Sequence, residues 1–325
     1  MSPKIIRWGI IGAGKIAKKF AQDLSTLENT TLYGIASRNI EKAHLFASEF
    51  NAAKAYGSYE ELALDDNVDA IYIATPHSFH CVHTLLCLEH KIPVLCEKPF
   101  AMNFHEVDRM IQSAKKNETL LMEAMWTAFL PHFQYICQLI KQKHFGKLLK
   151  LEADFGSHPN YDINSRVFDK SVGGGSLLDI GIYPIFAALS TLGVPEDIDA
   201  QATFFSDGAD SSCDMVFHYD EVKAYLNSSL IQDTATEAVF YFEEGTVKIN
   251  GRFHQPTSII LIDKSGNSEL KTFDYTTIGY SYEIEHFNEL IRQGKTESDI
   301  MPFDRSISLI STIDRVRGII GLEYK

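Results

Sequence analysis

With 325 residues, this chain is too long for one ordinary domain of roughly 100 to 200 residues and fits two. Its 45% hydrophobic and 22% charged residues, without an apolar stretch near the roughly 20 residues that cross a bilayer, predict a soluble protein and no membrane partner. The net charge of -13 leaves no basic patch for nucleic acid, and five cysteines without a C-x-x-C pair predict neither a disulfide framework nor a zinc knuckle.

The first part of the chain alternates strand-like and helical segments. The N-terminus runs into the first strand without an apolar leader, so we expect no secretory signal and a cytoplasmic location. Strand-like runs at 5–11, 32–37, 70–75, 94–97 and 120–124 are separated by amphipathic segments. This is the βαβ pattern of a parallel sheet, and the continuous apolar run 70–74 indicates a strand buried on both faces. We predict an α/β fold with a doubly wound Rossmann domain at 1–124.

The regular alternation of strand-like and helical segments ends at about residue 125. Helical stretches at 132–142 and 176–192 flank a strand at 148–155, and strand-like runs follow at 199–205, 215–218, 224–230, 238–242, 246–249, 258–262 and 270–273. Helices at 282–292 and 304–320 complete the chain. The pattern predicts an α+β domain at 125–325 with a large, mainly antiparallel open sheet that has a helix on one face. Phe204, Phe217 and Tyr225 are predicted on the other face, where we expect the subunit interface of a homodimer or higher homo-oligomer.

A glycine turn follows the first strand and opens a helix. Gly12-x-Gly14-x-x-Ala17 has the glycines needed for a tight turn and for the close approach of a pyrophosphate, and Ala17 allows close helix packing. The helix N-terminus offers amide donors to phosphates. The alternative, a glycine turn that only connects strand to helix, stays open.

The end of the second strand bears on the choice of dinucleotide. An NAD site usually has an acid there for the ribose hydroxyls, whereas this chain has Ser37 and Arg38. A hydroxyl and a guanidinium suit a 2′-phosphate, which predicts NADP as the cofactor. The alternatives that Arg38 is only a solvated loop residue and that the chain uses NAD stay open.

Two further motifs carry candidate catalytic groups. Lys98, within Glu97-Lys98-Pro99, follows a strand end where ligands of α/β sheets bind. Its alternative role is to form a surface ion pair. Pro99 fixes the local backbone, and a cis peptide bond before it is consistent with a tightly specified turn. In the second domain, 173–184 reads G-G-G-S-L-L-D-I-G-I-Y-P, in which Asp179 and Tyr183 are four residues apart and are expected on one helix face.

At these motifs the chain resembles the Gfo/Idh/MocA oxidoreductase family, whose marks are the glycine turn, E-K-P and G-G-G...D-x-G-x-x. Segments 122–131 and 177–184 are similar to the dimeric dihydrodiol dehydrogenase branch, which oxidises trans-dihydrodiols and some pentoses with NADP. Most of the wider family has histidine where this chain has Tyr183, which favours the tyrosine branch. The resemblance also implies that the segment at the end of the strand-like run 70–75, with Thr75, Pro76, His77 and His80, lines the nicotinamide side. The candidate cofactor-binding residues are Gly12, Gly14, Lys15, Ile16, Ser37, Arg38, Thr75, Pro76, His77, His80, Glu97 and Lys98.

Oxidation of a secondary alcohol needs a hydride acceptor and a base for the hydroxyl proton. Tyr183 has an ordinary pKa near 10 and needs a nearby cation to act as that base, which Lys98 supplies. Asp179 is the third catalytic candidate, as an orienting acceptor, although a local capping role stays open.

Aromatic and basic residues are the candidates for substrate contact. Trp126 is implied by the resemblance, and Phe155 and Arg166 are further candidates, with core packing and solvation as their alternative roles. His77, His80 and His83 fan over roughly 120° of a helix, so we predict no metal site.

The sequence therefore predicts an NADP-dependent dehydrogenase or reductase that acts on a small cyclic alcohol, dihydrodiol or sugar-like polyol. Two alternatives stay open: an NAD-dependent glycosidase on the same fold, and a nucleotide-sensing protein without activity.

Overall fold

The structure, a computed structural model, describes residues 4–162 and 165–324. The chain forms two compact units. One contains Met1–Trp126 and Thr276–Ile307, and the other contains Thr127–Tyr275 and Ser308–Lys325. The predicted division at 124/125 differs from these units mainly because a segment near the C-terminus returns to the first of them.

The first unit is built on a six-stranded parallel sheet. Its strands are β1 (Ile6–Ile11), β2 (Thr30–Ala36), β3 (Lys54–Tyr56), β4 (Ala70–Ile73), β5 (Val94–Glu97) and β6 (Leu121–Ala124). They lie in the order β3-β2-β1-β4-β5-β6, and all neighbouring pairs are parallel. This confirms the predicted Rossmann sheet. The edge strand β3 was not predicted, because its 3 residues are too few to give a periodic signal.

Helices connect these strands: α1 (Lys15–Leu24), α2 (Ile40–Phe50), α3 (Tyr59–Ala63), α4 (His80–Glu89) and α5 (Phe104–Asn117). Asparagine side chains start two of them, since Asn39 accepts from the Lys42 amide before α2 and Asn103 accepts from the Glu106 amide before α5. In contrast, α1 has Gly14 at its N-cap. Because glycine has no side chain, the first amides of α1 are left for another acceptor.

The second unit is built on an eight-stranded sheet. Its strands are β7 (Leu148–Gly156), β8 (Asp197–Phe204), β9 (Asp210–His218), β10 (Lys223–Ser229), β11 (Ala238–Phe242), β12 (Gly245–Ile249), β13 (Ile259–Asp263) and β14 (Ser268–Lys271). They lie in the order β14-β13-β12-β11-β7-β10-β9-β8. Only β7 and β10 pair in parallel, and the other neighbours are antiparallel. The prediction of a large, mainly antiparallel sheet is confirmed.

Two helices accompany this sheet, α6 (Pro131–Lys141) and α7 (Ile182–Leu192). The helix predicted at 176–192 starts as a π-helical turn, Leu177–Gly181, that continues into α7. By length and composition alone, the stretch Lys170–Leu192 is apolar enough to cross a membrane, which the sequence analysis did not anticipate. In the structure 89% of that apolar window is buried, so it serves as the core helix of the second unit.

The prediction for Phe217 is wrong. Phe217 is fully buried, whereas Phe204 and Tyr225 are each 44% exposed. The pairing of β9 with β10 sets Tyr225 opposite Val216 and Ala224 opposite Phe217. Because neighbouring residues of a strand point to opposite faces, Phe217 lies on the helix-covered face and Tyr225 on the open face.

His132 joins α6 to two other segments of the second unit. Its Nε2 donates to the Phe253 carbonyl oxygen at 2.8 Å, and its Nδ1 accepts from the Tyr275 hydroxyl. Burial lowers the pKa of His132 from the ordinary 6.5 to about 4. The folded protein therefore holds this imidazole neutral at pH values where the unfolded chain is protonated.

We expect the second unit to lose about 3 kcal/mol of stability from His132 as the pH falls from 6.5 towards 4. The sign follows because a depressed pKa in the folded state stabilises above the unfolded pKa and loses that contribution on acidification. Urea unfolding at several pH values should show a smaller acid-induced loss for His132→Gln than for the unchanged protein. Parallel curves would contradict the assignment.

The last two helices are α8 (Tyr280–Arg292) and α9 (Phe303–Ile320). Two side chains connect α8 to the N-terminal segment of the first unit. Trp8 Nε1 donates to Asn288 Oδ1 at 3.0 Å. The Asp23 carboxylate, on α1, accepts at 2.8 to 3.2 Å from four backbone amides at the start of α8, those of Ile278, Gly279, Tyr280 and Ser281. These bonds explain why Thr276–Ile307 belongs to the first unit.

Replacing Asp23 with alanine is expected to lower the free energy of unfolding by about 3 kcal/mol, because buried amides lose their acceptor. Asp23 itself is only 1% exposed, so water does not replace it easily. Urea denaturation measures the change. Asp66→Ala, at an exposed position of the same unit, is the control and should change the value by less than about 0.5 kcal/mol. Equal effects of the two substitutions would contradict the role given to Asp23.

Candidate active site

The glycine turn has the geometry that a bound pyrophosphate requires. Gly12 has φ = 101°, and a Cβ atom there would lie 2.8 Å from the Ala74 carbonyl oxygen. Only glycine fits this position without strain. Gly14 and Lys15 are exposed and Ile16 is partly exposed, so the first amides of α1 are open to a ligand. These residues therefore fit a dinucleotide phosphate at the start of α1.

Ser37 and Arg38 follow β2, next to the glycine turn in the sheet order. The Ser37 Oγ accepts from the Asn39 amide at 3.2 Å. The exposed Arg38 guanidinium lies 5.8 Å from the centre of the Phe79 ring. This cation–π contact holds Arg38 near the carboxyl ends of the strands, with donors that remain for an anionic ligand.

The candidate residues after β4 mainly contact other residues of the first unit. Thr75 Oγ1 pairs with His83 Nδ1 at 3.0 Å. His80 is fully buried, and its Nδ1 and Nε2 each lie 2.8 Å from a carbonyl oxygen, those of Pro99 and Thr75. Because carbonyl oxygens only accept, both contacts are hydrogen bonds only when each ring nitrogen carries a proton. His80 thus lies between the end of β4 and the turn that contains Lys98.

Pro76 and His77 lie close to His80. Pro76 precedes a short 3₁₀-helix, His77–Phe79, and the ring of the buried His77 is 5.7 Å from that of His80. Within residues 4–162 and 165–324, no cluster of three or more histidine, cysteine, aspartate or glutamate side chains is arranged to hold a metal ion.

The turn after β5 places Lys98 beside Glu97. The Lys98–Pro99 peptide bond is cis. The two oxygens of the Glu97 carboxylate accept from different donors: Oε1 from the Tyr72 hydroxyl and Oε2 from the Lys98 amide at 3.1 Å. Glu97, predicted as a cofactor ligand, is therefore mostly buried and holds the backbone of the turn.

In the second unit, Tyr183 lies in a cluster of rings. Its ring centre is 5.7 Å from that of Phe155 and 4.7 Å from that of His254, and Phe155 stacks on His254 at 4.2 Å. His254 was not predicted, since it lies in the segment between β12 and β13 where no motif marks it. The structure thus brings the predicted Tyr183 and Phe155 together with a histidine that only the fold reveals.

Asp179 lies in the π-helical turn before α7 and forms an ion pair with Arg166. The distance between Arg166 Nη1 and Asp179 Oδ1 is 3.5 Å, and the Arg166 side chain is 43% exposed while that of Asp179 is 11% exposed. A half-exposed pair at this distance contributes little stability.

A buried aspartate fixes the start of the helix that carries these residues. Asp210 Oδ2, from β9, accepts from Ser176 Oγ at 2.7 Å and from the Leu177 amide at 2.6 Å. Gly175 has φ = 124°, and a Cβ atom there would lie 2.1 Å from Asp210 Oδ1. Gly175 therefore leaves room for the Asp210 carboxylate of β9. Asp210 in turn fixes the start of the helical segment on which Asp179 and Tyr183 lie.

Trp126 is the last residue of the first of the two segments that form the first unit. It is 8% exposed, and its ring centre is 4.6 Å from that of Tyr280 on α8. Its neighbour Thr127 begins the second unit and donates from Oγ1 to the His254 carbonyl oxygen at 2.9 Å.

Sequence comparison decides the family. Residues 6–125 match the model of the oxidoreductase family with an NAD-binding Rossmann fold, and residues 133–248 match the GFO/IDH/MocA C-terminal domain. The chain belongs to the Gfo/Idh/MocA family. It is therefore an oxidoreductase with a nicotinamide dinucleotide site in its first unit, which confirms the resemblance drawn from the motifs.

Two relatives and two solved structures resemble the whole chain. Trans-1,2-dihydrobenzene-1,2-diol dehydrogenase of Xenopus tropicalis is 36% identical, covering 98% of this chain and 99% of the relative. The scyllo-inositol 2-dehydrogenase (NADP(+)) of Bacillus subtilis is 34% identical, covering 98% of each.

Aldose-aldose oxidoreductase of Caulobacter crescentus has a TM-score of 0.89 at 20% identity, covering 97% of both chains. A 3-ketoreductase of Actinomadura kijaniata, solved with NADP and TDP-benzene, has a TM-score of 0.87 at 24% identity, covering 97% of this chain and 98% of that one. These two structures establish the likeness of fold.

Proposed function

We propose that the protein is an NADP-dependent oxidoreductase that transfers hydride between the nicotinamide and a small cyclic alcohol, dihydrodiol or sugar-like polyol. The observation that carries this proposal is the full-length similarity to two dehydrogenases whose named substrates share one chemistry. Dihydrobenzenediol and scyllo-inositol are both six-membered carbon rings with hydroxyl groups on adjacent carbons.

The preference for NADP is supported by the end of β2. Arg38, held against Phe79, and the hydroxyl of Ser37 suit a 2′-phosphate, and no acid stands there to bind free ribose hydroxyls. The name of the Bacillus relative, an NADP(+) enzyme, agrees with this choice. Affinities for NADPH and NADH, measured by quenching of protein fluorescence, test it. Tighter binding of NADH would overturn the preference.

The nicotinamide, when bound, supplies the hydride acceptor for an alcohol or the hydride donor for a ketone. In the proposed reaction Tyr183 acts as the phenolate that takes up the hydroxyl proton and becomes a neutral phenol, while Lys98 lowers the pKa of Tyr183 to favour that phenolate and polarises the substrate oxygen. Asp179 orients the substrate, with Arg166 as its ion-pair partner. The rings of Phe155 and Trp126 are proposed to contact the apolar faces of a cyclic substrate.

A screen of trans-dihydrobenzenediol, scyllo-inositol, pentoses and hexoses with NADP⁺ tests the activity through the absorbance of the reduced nicotinamide. Net NADPH formation with a cyclic diol or polyol is expected. Cleavage of a glycoside without net NADPH would instead identify a glycosidase, and binding of the nucleotide without turnover of any substrate would identify a sensor. Either result would overturn the proposal.

The open face of the eight-stranded sheet is proposed as the contact surface of a homodimer or higher homo-oligomer, in a cytoplasmic protein. Tyr225 is 44% exposed there, beside Val216 and opposite Glu152 of β7. Light scattering with size-exclusion chromatography should give a mass above the 36.6 kDa of one chain. A mass equal to one chain would overturn this part.

A further inference from the structure

A buried tyrosine lies directly beneath the turn that presents Lys98. Tyr72, in the middle of β4, is fully buried, and its ring stacks on Phe20 with the ring centres 3.7 Å apart. Its hydroxyl donates to Glu97 Oε1, and the other Glu97 oxygen accepts from the Lys98 amide. Burial first, and then the charge of Glu97, raise the pKa of Tyr72 well above its ordinary value, so the phenol keeps its proton and remains a donor.

Glu97 is one of three glutamates buried in this part of the first unit. Glu123, on β6, accepts from the Phe100 amide at 3.0 Å, and burial raises its pKa to about 7. Glu283, on α8, is fully buried, and among the described residues neither of its oxygens has a hydrogen-bond partner. Burial, followed by Glu97 and Asp23, raises the pKa of Glu283 well above its ordinary value, which favours its neutral form.

The three glutamates differ in the hydrogen-bond donors that contact them. A buried carboxylate stays ionised only where donors replace water, and Glu97 has donors at both oxygens. The ionisable groups that surround Tyr72 and Glu97 come from several elements: Asp23 on α1, Cys96 on β5, Lys98 in the turn, Glu123 on β6, and Tyr280 and Glu283 on α8. Lys98 is the cation of this group.

We propose that Tyr72 is a positioning residue for Lys98, acting through Glu97. By donating to one oxygen of Glu97, the phenol keeps that carboxylate ionised and correctly oriented, so that its second oxygen holds the Lys98 amide and its charge supports the protonated lysine. The role rests on the proposed function in one respect, because it concerns the lysine that the proposed reaction uses.

The first test is Tyr72→Phe, which keeps the ring on Phe20 and removes only the hydroxyl. We expect kcat to fall about tenfold with the KM for NADP changed by less than about twofold, since a hydrogen bond to a charged group is lost outside the nucleotide site. The acidic limb of the pH profile of kcat should move up by about one pH unit, because Glu97 then takes a proton more readily.

Tyr56→Phe is the matched control. Tyr56 also belongs to the six-stranded sheet, and its hydroxyl donates to a carboxylate, Asp65 Oδ2, at 2.7 Å. That bond does not involve the Lys98 turn, so loss of stability without a change in kcat or pH profile is expected. A Tyr72→Phe variant that behaves in the same way would show that its role is structural only and overturn the proposal.

A double-substitution cycle tests the route through Glu97. Glu97→Gln removes the charge that Tyr72 supports, so adding Tyr72→Phe to it should change kcat by less than about twofold. Multiplicative effects would mean that Tyr72 acts through another group and would reject the route. A thermal melt of each variant shows that it is folded under the conditions in which kcat is measured.

A titration of Glu97 separates failure of this proposal from failure of the proposed function, since it needs no substrate. NMR of the full chain with ¹³C-labelled glutamates, assigned with Glu97→Gln, should show a midpoint for Glu97 about one pH unit higher in Tyr72→Phe. Tyr56→Phe should leave it unchanged. If no alcohol is oxidised but this shift is found, the proposed function fails and the positioning role stands; an unmoved midpoint overturns the positioning role.

Discussion

Replacing Tyr183 with phenylalanine is expected to lower kcat by roughly 10²- to 10⁴-fold, the usual contribution of a general acid or base. The ring packs between Phe155 and His254, with centres 5.7 and 4.7 Å away, and phenylalanine preserves this packing. Affinity for NADP should not change, because the glycine turn and Arg38 are unaffected. Steady-state kinetics with a cyclic diol and a separate nucleotide titration measure the two quantities.

Tyr135→Phe is a suitable control for that experiment. Tyr135 is a partly buried tyrosine of α6 in the same unit, and its ring packs against Phe273, 6.1 Å away. Its hydroxyl has no role in the proposed reaction, so turnover should be retained. Unchanged turnover in Tyr183→Phe would remove Tyr183 from the mechanism and leave only nucleotide binding among the proposed activities.

Lys98→Met has the second largest expected effect. Methionine retains an unbranched side chain of similar length but no charge, so the proposed reaction loses the cation that it assigns to the Tyr183 phenolate and the substrate oxygen. We expect kcat to fall by about 10²-fold or more at saturating NADP. Stopped-flow measurement of a single turnover shows whether the loss lies in the chemical step.

Lys98 was also predicted to bind the cofactor, and the same variant distinguishes the two roles. If Lys98 mainly held the nucleotide, the dissociation constant of NADPH would rise and saturation would restore turnover. Lys116→Met, at an exposed position in the last turn of α5, should change neither quantity. Recovery of full activity at high NADP would contradict the catalytic role.

Local patterns in the chain predicted the main features of the fold. The parallel sheet followed from continuous apolar strands that alternate with amphipathic helices, because burial on both faces leaves no alternation along the strand. The dinucleotide turn was equally predictable, since the φ of 101° at Gly12 is a local requirement that sequence spacing records. The family motifs added Lys98, Asp179 and Tyr183, whose side-chain types imply the chemistry.

Other features depend on contacts between distant residues. The register of β9 and β10 decides that Phe217 is buried and Tyr225 exposed, and one residue of slip would reverse both. His254 comes to Tyr183 from a segment with no motif. Tyr72 looked like one more apolar residue of β4, until the neighbouring strand placed Glu97 at its hydroxyl.

The sequence by itself thus determined the class of fold and the nucleotide turn and predicted the kinds of catalytic group, because each depends on local periodicity or on a short motif. Only the tertiary structure decided which residues those groups contact and where the units divide. The Trp8 bond to Asn288 spans 280 positions and the Asp23 bond to Gly279 spans 256. Such bonds form because folding buries polar groups that must find partners, and no local pattern specifies which partners those are.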